Sequence, residues 1–310
     1  SMKLGFITVN FHSDEDTIQV VSQLEENILP HGVELVIYCV DNSLSESLPS
    51  KLTQYPHAVY LNSPGNVGFA AGNNIGFRRA LKDKVDIVVL VNNDTVVPKD
   101  LVKNILSSPV TNEKVGAVGG LIYFAKGFEF RNKYKETDLG KVIWYAGGIH
   151  DWNNVYGTHL GVDEVDHGQF NTVRETDFIT GCLFVVRRDV LEKVGLIDER
   201  YCLYFEDSDL CLRIKKAGLH LVVDPKITIR HKVAQSSGIG SPLNDYFITR
   251  NRLLFGMTYA SFKTKFALLR EALKKLFIGT PAQKIAVRDF FMRNFGWGSW
   301  NKKVSVPGKQ

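Results

Sequence analysis

The chain has only four cysteines, Cys39, Cys182, Cys202 and Cys211, with no Cys-x-x-Cys pair and no tight Cys/His spacing. That scatter argues against a disulfide frame or a zinc site, and it predicts buried thiols in a reducing cytosol. Long apolar runs are also missing. Nothing approaches the roughly 20 apolar residues that span a bilayer, and Ser1-Met2-Lys3 does not open a signal peptide. Neither a Walker loop nor a dinucleotide fingerprint is present, so ATP-type and NAD-type chemistry lose support. There is no internal repeat and no low-complexity tract.

What remains is an ordinary globular composition, 44% hydrophobic and 23% charged over 310 residues, enough for one large domain with an appendage. The net charge of +5 is unevenly placed. From Ser261 onward eleven Lys/Arg face only Glu271 and Asp289, so a basic tail follows a nearly neutral body. Basic segments are drawn to anionic surfaces.

The first half alternates strand and helix signals. Leu4–Val9, Val33–Val40, Ala58–Leu61, Val85–Val91 and Val115–Tyr123 read as strands. Helices are predicted after Ser13, over Phe69–Lys82 and over Lys99–Leu106. This alternation predicts an α/β fold with a mostly parallel central sheet flanked by helices. From Ala125 to Asp177 the periodicity fades, which is more often a binding region than a connector. Strand Cys182–Val186 and helix Asp189–Val194 follow, then a helix after Phe205 that stops at Gly218. Two strands, His220–Val223 and Ile227–Ile229, are predicted around Asp224-Pro225, and the remainder from Asn244 reads as helical. The expected division is a domain at 1–243, with halves at about 1–124 and 125–243, and a helical region at 244–310.

Polar residues gather where strands end. The run into Asn92-Asn93-Asp94 has the shape of a buried parallel strand, and ligands collect at the carboxyl ends of such strands. Asp94 either binds a hard divalent cation or caps a turn. Asn66 to Asn74 is rich in small residues at a strand-to-helix junction, which permits close backbone approach to a phosphate or is simply tight. Asp41 ends the second strand, as a turn cap or an acceptor for a pyrimidine imide. Glu206-Asp207 opens a helix, where acids complement the dipole or serve as a general base. His231 is a structural histidine or a metal ligand. Arg250 and Arg252 are phosphate contacts, surface charges or salt-bridge partners.

Taken together, Val9-Asn10-Phe11-His12-Ser13, Asp41-Asn42-Ser43, Asn66 to Asn74, Val91-Asn92-Asn93-Asp94, Thr180-Gly181-Cys182, Gly195-Leu196-Ile197-Asp198-Glu199, Tyr204 to Leu210 and Tyr246 to Leu253 resemble the family 2 glycosyltransferases. These are inverting enzymes of the nucleotide-diphospho-sugar transferase (GT-A) fold, and the likeness covers about Lys3 to Phe255. Within the family the sequence is similar to rhamnosyltransferase-like members of bacterial polysaccharide assembly. The resemblance implies Asp207 as catalytic base with Glu206 beside it, and Asp94 and His231 at a manganese or magnesium ion. It implies a nucleotide-sugar donor held by Asn10, Asp41, Asn66, Gly68, Asn73, Asn74, Asn93, Asp94 and Arg250. The first donor guess is dTDP-rhamnose, then UDP-galactofuranose or another hexose. The acceptor would be a saccharide or polyprenyl-linked saccharide. Asn92-Asn93, where many members have further acids, leaves one carboxylate at the metal motif. A pyrophosphorylase would want a Gly-rich, Arg-containing loop where Asn10-Phe11-His12-Ser13 stands, and a silent relative would have no need of both Asp94 and Asp207.

In the tail, Phe262, Phe266, Leu269, Leu273 and Leu276 recur at helical spacing with Lys263, Lys265, Arg270, Lys274 and Lys275 between them. A basic amphipathic helix suits the inner face of the cell membrane, the alternatives being packing on the catalytic domain or on a second copy in a homo-oligomer. No nucleic-acid-reading motif accompanies it.

Overall fold

The computed structural model describes residues 1–130, 133–233 and 240–302, so the final stretch of the tail expected to be helical, 303–310, lies outside the described residues. The chain order is β1 (Met2–Asn10), α1 (Asp14–Glu25), β2 (Val33–Asp41), α2 (Leu48–Leu52), β3 (Ala58–Asn62), α3 (Phe69–Lys82), β4 (Ile87–Val91), β5 (Thr95–Val96), α4 (Leu101–Leu106) and β6 (Val115–Phe124). Then come β7 (Ile143–Tyr145), β8 (Gly148–Asp151), β9 (Tyr156–His159), β10 (Arg174–Glu175), β11 (Leu183–Arg187), α5 (Arg188–Val194), α6 (Glu206–Lys216) and β12 (His220–His231). Three α-helices close the main elements of the described residues: α7 (Pro242–Tyr259), α8 (Phe262–Ile278) and α9 (Pro281–Phe291).

The central sheet runs β10-β12-β6-β11-β4-β1-β2-β3. Strands β1 to β4 are parallel neighbours, as the βαβ pattern predicts, and all five residues of β4 are buried because helices cover both faces. The second half departs from that pattern. Strand β11 lies antiparallel between β4 and β6. Its first residue, Leu183, pairs with Val91, so Thr180-Gly181-Cys182 arrives at the carboxyl end of β4. The irregular stretch after Ala125 holds four strands of two to four residues, too short to show a period.

The two strands expected around Asp224-Pro225 are one, β12, with a register break between Asp224 and Thr228 against Gly120 and Leu121 of β6. Proline has no N–H to give the ladder, so inside a sheet it is tolerated at a bulge. Gly120 makes room for it: a Cβ there would lie 2.4 Å from the Ile227 carbonyl oxygen. Past the bulge, β12 continues to His231, which pairs with Thr95 of β5 and so comes beside Asp94.

Helix α7 does not stand apart from this body. Tyr246, Phe247, Arg250, Asn251 and Phe255 are fully or almost fully buried, and α8 and α9 pack against α7. Among the described residues, no helix is long and apolar enough to cross a membrane.

Candidate active site

A cavity of about 340 Å3 opens at the carboxyl ends of β1 and β4. Asn92, Asn93 and Asp94 form one side, and Asn66, Gly68 and Phe69 another. Gly68 precedes α3 with φ of +89°, and a Cβ on it would meet the Cys202 sulfur at 2.6 Å, so only glycine fits. A larger cleft, about 740 Å3, lies beyond Ser13, but Asp14, Glu15 and Asp16 line it and would repel a diphosphate.

Asp94 sits in the short turn between β4 and β5. Its Oδ2 is 3.1 Å from His231 Nε2, while its Oδ1 has no partner. Burial works against the His231 imidazolium. Nevertheless its pKa is raised, and because burial also raises the pKa of neighbouring Cys182 and keeps that thiol neutral, the opposing charge is the Asp94 carboxylate. Trp144 packs edge-on against the imidazole, with centroids 4.5 Å apart. Asn93 donates to Ser13 Oγ at 2.7 Å and Thr17 Oγ1 at 3.0 Å, which fixes the turn to α1.

Asp207 lies in the first turn of α6. Its Oδ2 accepts the Gly181 N–H at 3.0 Å, and its Oδ1 accepts the Ser208 N–H at 2.8 Å. Desolvation outweighs these two bonds and raises its pKa, so the carboxylate is more basic than an exposed one. Glu206 is buried, its Oε2 has no partner, and burial together with the charge of Asp207 raises its pKa well above the usual range. Both acids belong to one frame with Asp94. Gly181 binds Asp207, and the carbonyl of the next residue, Cys182, accepts the Asn92 N–H at 3.1 Å.

The loop that aims this pair is unusual. Cys202, Tyr204 and Phe205 all have left-handed backbones, with φ of 62°, 67° and 67°. Such non-glycine conformations persist only where the surroundings hold them. Asn251 does the holding: its buried amide donates to the carbonyls of Tyr201, Leu203 and Tyr204. Asn251 falls within the Tyr246 to Leu253 segment of the family resemblance, but nothing local in the sequence shows which loop it meets.

Several residues expected to touch the donor are spent elsewhere. Arg250 is fully buried, and its guanidinium donates to the carbonyls of Arg200, Tyr201 and Gly296 and to Asn251 Oδ1, so it is a bracket and not a phosphate contact. Arg252 is the salt-bridge partner of Glu271. Asn73 bonds back to the Phe69 carbonyl, and Asn74 clamps α3 to Ile197 and Glu199. Neither lines the cavity. Asn10 is a buried hub joining Asp14, Asp41, Ser43 and Thr17.

Asp41 is wholly buried and accepts from Asn10, Ser43, Ser45 and Tyr60, so no imide reaches it in this arrangement. Desolvation would raise its pKa, and these bonds turn the balance, holding it low. Its neighbour Asn42 faces the cavity instead, donating to the Gly68 carbonyl and keeping Oδ1 free.

Known proteins share this architecture. The family described as "Glycosyltransferase like family 2" matches residues 3–256. The chain belongs to that family. Among curated relatives of this family 2 glycosyltransferase is a low-salt glycan biosynthesis hexosyltransferase of Haloferax volcanii, 24% identical over 81% of this chain and 74% of the relative. Another is an N-acetylglucosaminyl-diphospho-decaprenol L-rhamnosyltransferase of Mycobacterium tuberculosis, 25% identical over 65% of this chain and 68% of the relative. A mannosyltransferase from Pyrobaculum calidifontis, solved with GDP-mannose and Mn2+, has a TM-score of 0.55 at 14% identity, covering 99% of this chain and 76% of that one. That likeness establishes the GT-A fold.

Proposed function

We propose that this family 2 glycosyltransferase moves a sugar, with inversion, from a nucleoside-diphosphate donor to a hydroxyl of a saccharide or polyprenyl-linked saccharide. The mycobacterial relative is named as a rhamnosyltransferase, and with the rhamnosyltransferase-like resemblance of the sequence this makes dTDP-rhamnose the first donor to test, with UDP-hexoses next. The observation that carries the reading is the desolvated, basic Asp207 tied through Gly181-Cys182 to the turn that bears Asp94.

Asp207 takes the proton of the acceptor hydroxyl as its oxygen attacks the anomeric carbon. The bond from that carbon to the diphosphate breaks, and the electron pair leaves with the nucleotide. Asn42 Oδ1 and the Gly68 turn would hold the donor, with Asn93 fixing the turn beside it. Asp41 would act indirectly, by shaping the loop that carries Asn42.

A divalent cation, manganese or magnesium, fits the unpartnered Asp94 Oδ1; His231, held as an imidazolium by Asp94 without the ion, would become the second protein ligand on losing that proton, which the charge of the cation favours. Among the described residues no group of three or more potential ligands gathers, so most of its coordination would come from diphosphate oxygens and water. When bound it would stabilise negative charge on the leaving diphosphate.

The place of work would be the inner face of the membrane. Phe262, Phe266, Leu273 and Phe277 of α8 are 90%, 70%, 53% and 80% exposed, while Leu268 and Ala272 face inward. Lys263, Arg270 and Lys274 are exposed as well, and Glu271 is drawn away to Arg252 and Lys275. An apolar face flanked by cations alone suits anionic lipid. Flotation with vesicles containing phosphatidylglycerol tests it: Phe262→Ser with Phe266→Ser should abolish binding. Equal binding by the variant, or a dimer that this pair of changes splits, would sink the membrane reading.

The main test is nucleoside-diphosphate release from a sugar-nucleotide panel with saccharide acceptors. No turnover of any donor, or retention of configuration in the product, would refute the proposal.

A further inference from the structure

Part of the donor-cavity wall, Trp297, lies outside the family match, which ends at residue 256. Trp297, beyond α9, lines the cavity with Leu243 and Leu203, and Asp94 and Asn93 line the same cavity. The indole is not loosely placed. Its Nε1 donates to the Asn66 carbonyl at 2.9 Å, in the turn that leads into α3, and its ring meets Phe247 at a centroid distance of 5.7 Å.

The turn that presents Trp297 is built for the purpose. Gly296 N–H donates to the Arg200 carbonyl at 2.9 Å, and the Gly296 carbonyl accepts from Arg250 at 2.7 Å. Ser299 is held by Asp289, which also binds the Tyr246 hydroxyl. A Cβ at residue 298 would fall 2.1 Å from that hydroxyl oxygen, so the turn requires glycine. Arg250 is buried without a carboxylate within ion-pair distance among the described residues, an expensive arrangement for a cation. It is what ties this turn to Arg200 and Tyr201, at the head of the loop that ends in Glu206-Asp207.

We propose that Trp297 is a donor-binding residue: its indole packs against the nucleotide sugar and forms a wall of the cavity that Asp94 also lines. The proposal rests on the donor site argued above. It adds that the C-terminal region is part of that site, held in register with the base loop by Arg250. Aromatic rings supply much of the contact energy where they form the wall of a ligand pocket.

The test is titration of the full chain with dTDP, UDP, dTDP-rhamnose and UDP-glucose, with Mn2+ present, read by tryptophan fluorescence and by calorimetry. For any ligand that binds wild type, Trp297→Phe should lose most of the fluorescence change, and Trp297→Ala should bind roughly tenfold more weakly. The Trp297→Phe melting temperature separates lost contact from lost fold. If wild type binds a ligand and both variants bind it within twofold, with the fluorescence change intact, the inference is wrong while the donor site stands. If wild type binds none of the four, the donor site itself is wrong and the inference falls with it.

Discussion

Asn251→Ala offers a sharp test of how the base is held. Asn251 is fully buried, and its amide donates to three carbonyls of the left-handed loop, at 2.7 Å to Tyr201 and 3.0 Å to Tyr204. Tyr201 keeps its bond from Arg250, so truncation orphans the carbonyls of Leu203 and Tyr204 and the Arg250 Nε–H, whose acceptor is Asn251 Oδ1. A buried polar group left unpaired costs about 1–3 kcal/mol, and water entering the gap would recover part of it, leaving a loss of roughly 2–4 kcal/mol. With 310 residues and about 2.1 cal/mol/K of unfolding entropy each, that corresponds to a melting point lower by ~3–6 °C. The fold survives. The loop has lost what holds Cys202, Tyr204 and Phe205 at positive φ, so Asp207 drifts from its line of attack, and misplacement by about 1 Å costs on the order of 100-fold in rate. Steady-state kinetics well below the melting point should show kcat down about 100-fold, with donor affinity by calorimetry nearly unchanged. A variant with kcat within twofold of wild type would refute the argument, as would a loss confined to donor affinity.

Asp207→Asn should reduce kcat by at least ~1000-fold with donor binding intact, because it keeps the shape and loses the base. Since the Asp207 pKa is raised, kcat should fall as pH drops through that raised value, and acid limbs located at an ordinary Asp value near 4 would contradict the burial argument. Glu206→Gln bears on stability. A carboxyl whose folded pKa lies above its unfolded one binds more protons when folded, so its contribution is fully present below the unfolded pKa and declines as pH rises towards the folded value. Glu206→Gln should therefore melt higher than wild type at neutral pH and no higher at pH 3; a difference that does not vary with pH would show that charge is not the cause. Asp94→Ala should remove Mn2+-dependent donor binding by calorimetry, and an unchanged metal requirement would place the ion elsewhere.

Much of the parallel half was legible because its strands are covered on both faces and read as continuous Val/Ile/Leu runs. Asn92-Asn93-Asp94 and Glu206-Asp207 could be found because they stand at element ends, where backbone geometry aims side chains at ligands. The roles of Asn10, Asp41, Asn73, Asn74 and Arg250 were not legible. A polar side chain at a strand end looks the same in sequence whether its partner is a substrate or a carbonyl 50 residues away, as the Tyr201 carbonyl is for Asn251. Asn42, the first residue past β2, illustrates how fine the distinction is: Asp41 turns into a buried hydrogen-bond cluster while its neighbour lines the cavity. Trp297 carries no local signal of its place, because its partner, Asn66, is 231 positions earlier.

The bulge in β12 makes the site depend on counting. Between Asp224, opposite Gly120, and Thr228, opposite Leu121, the strand carries Pro225, Lys226 and Ile227 with no partner residues across from them. Side chains alternate faces at every position, so an odd number of extra residues reverses which face the rest of the strand presents. His231 meets Asp94 only with that parity. Deleting Lys226 would leave each residue of the cavity in place by name and turn the histidine away, which makes the length of a loop-like bulge, far from the chemistry, as strict a requirement as the identity of a ligand.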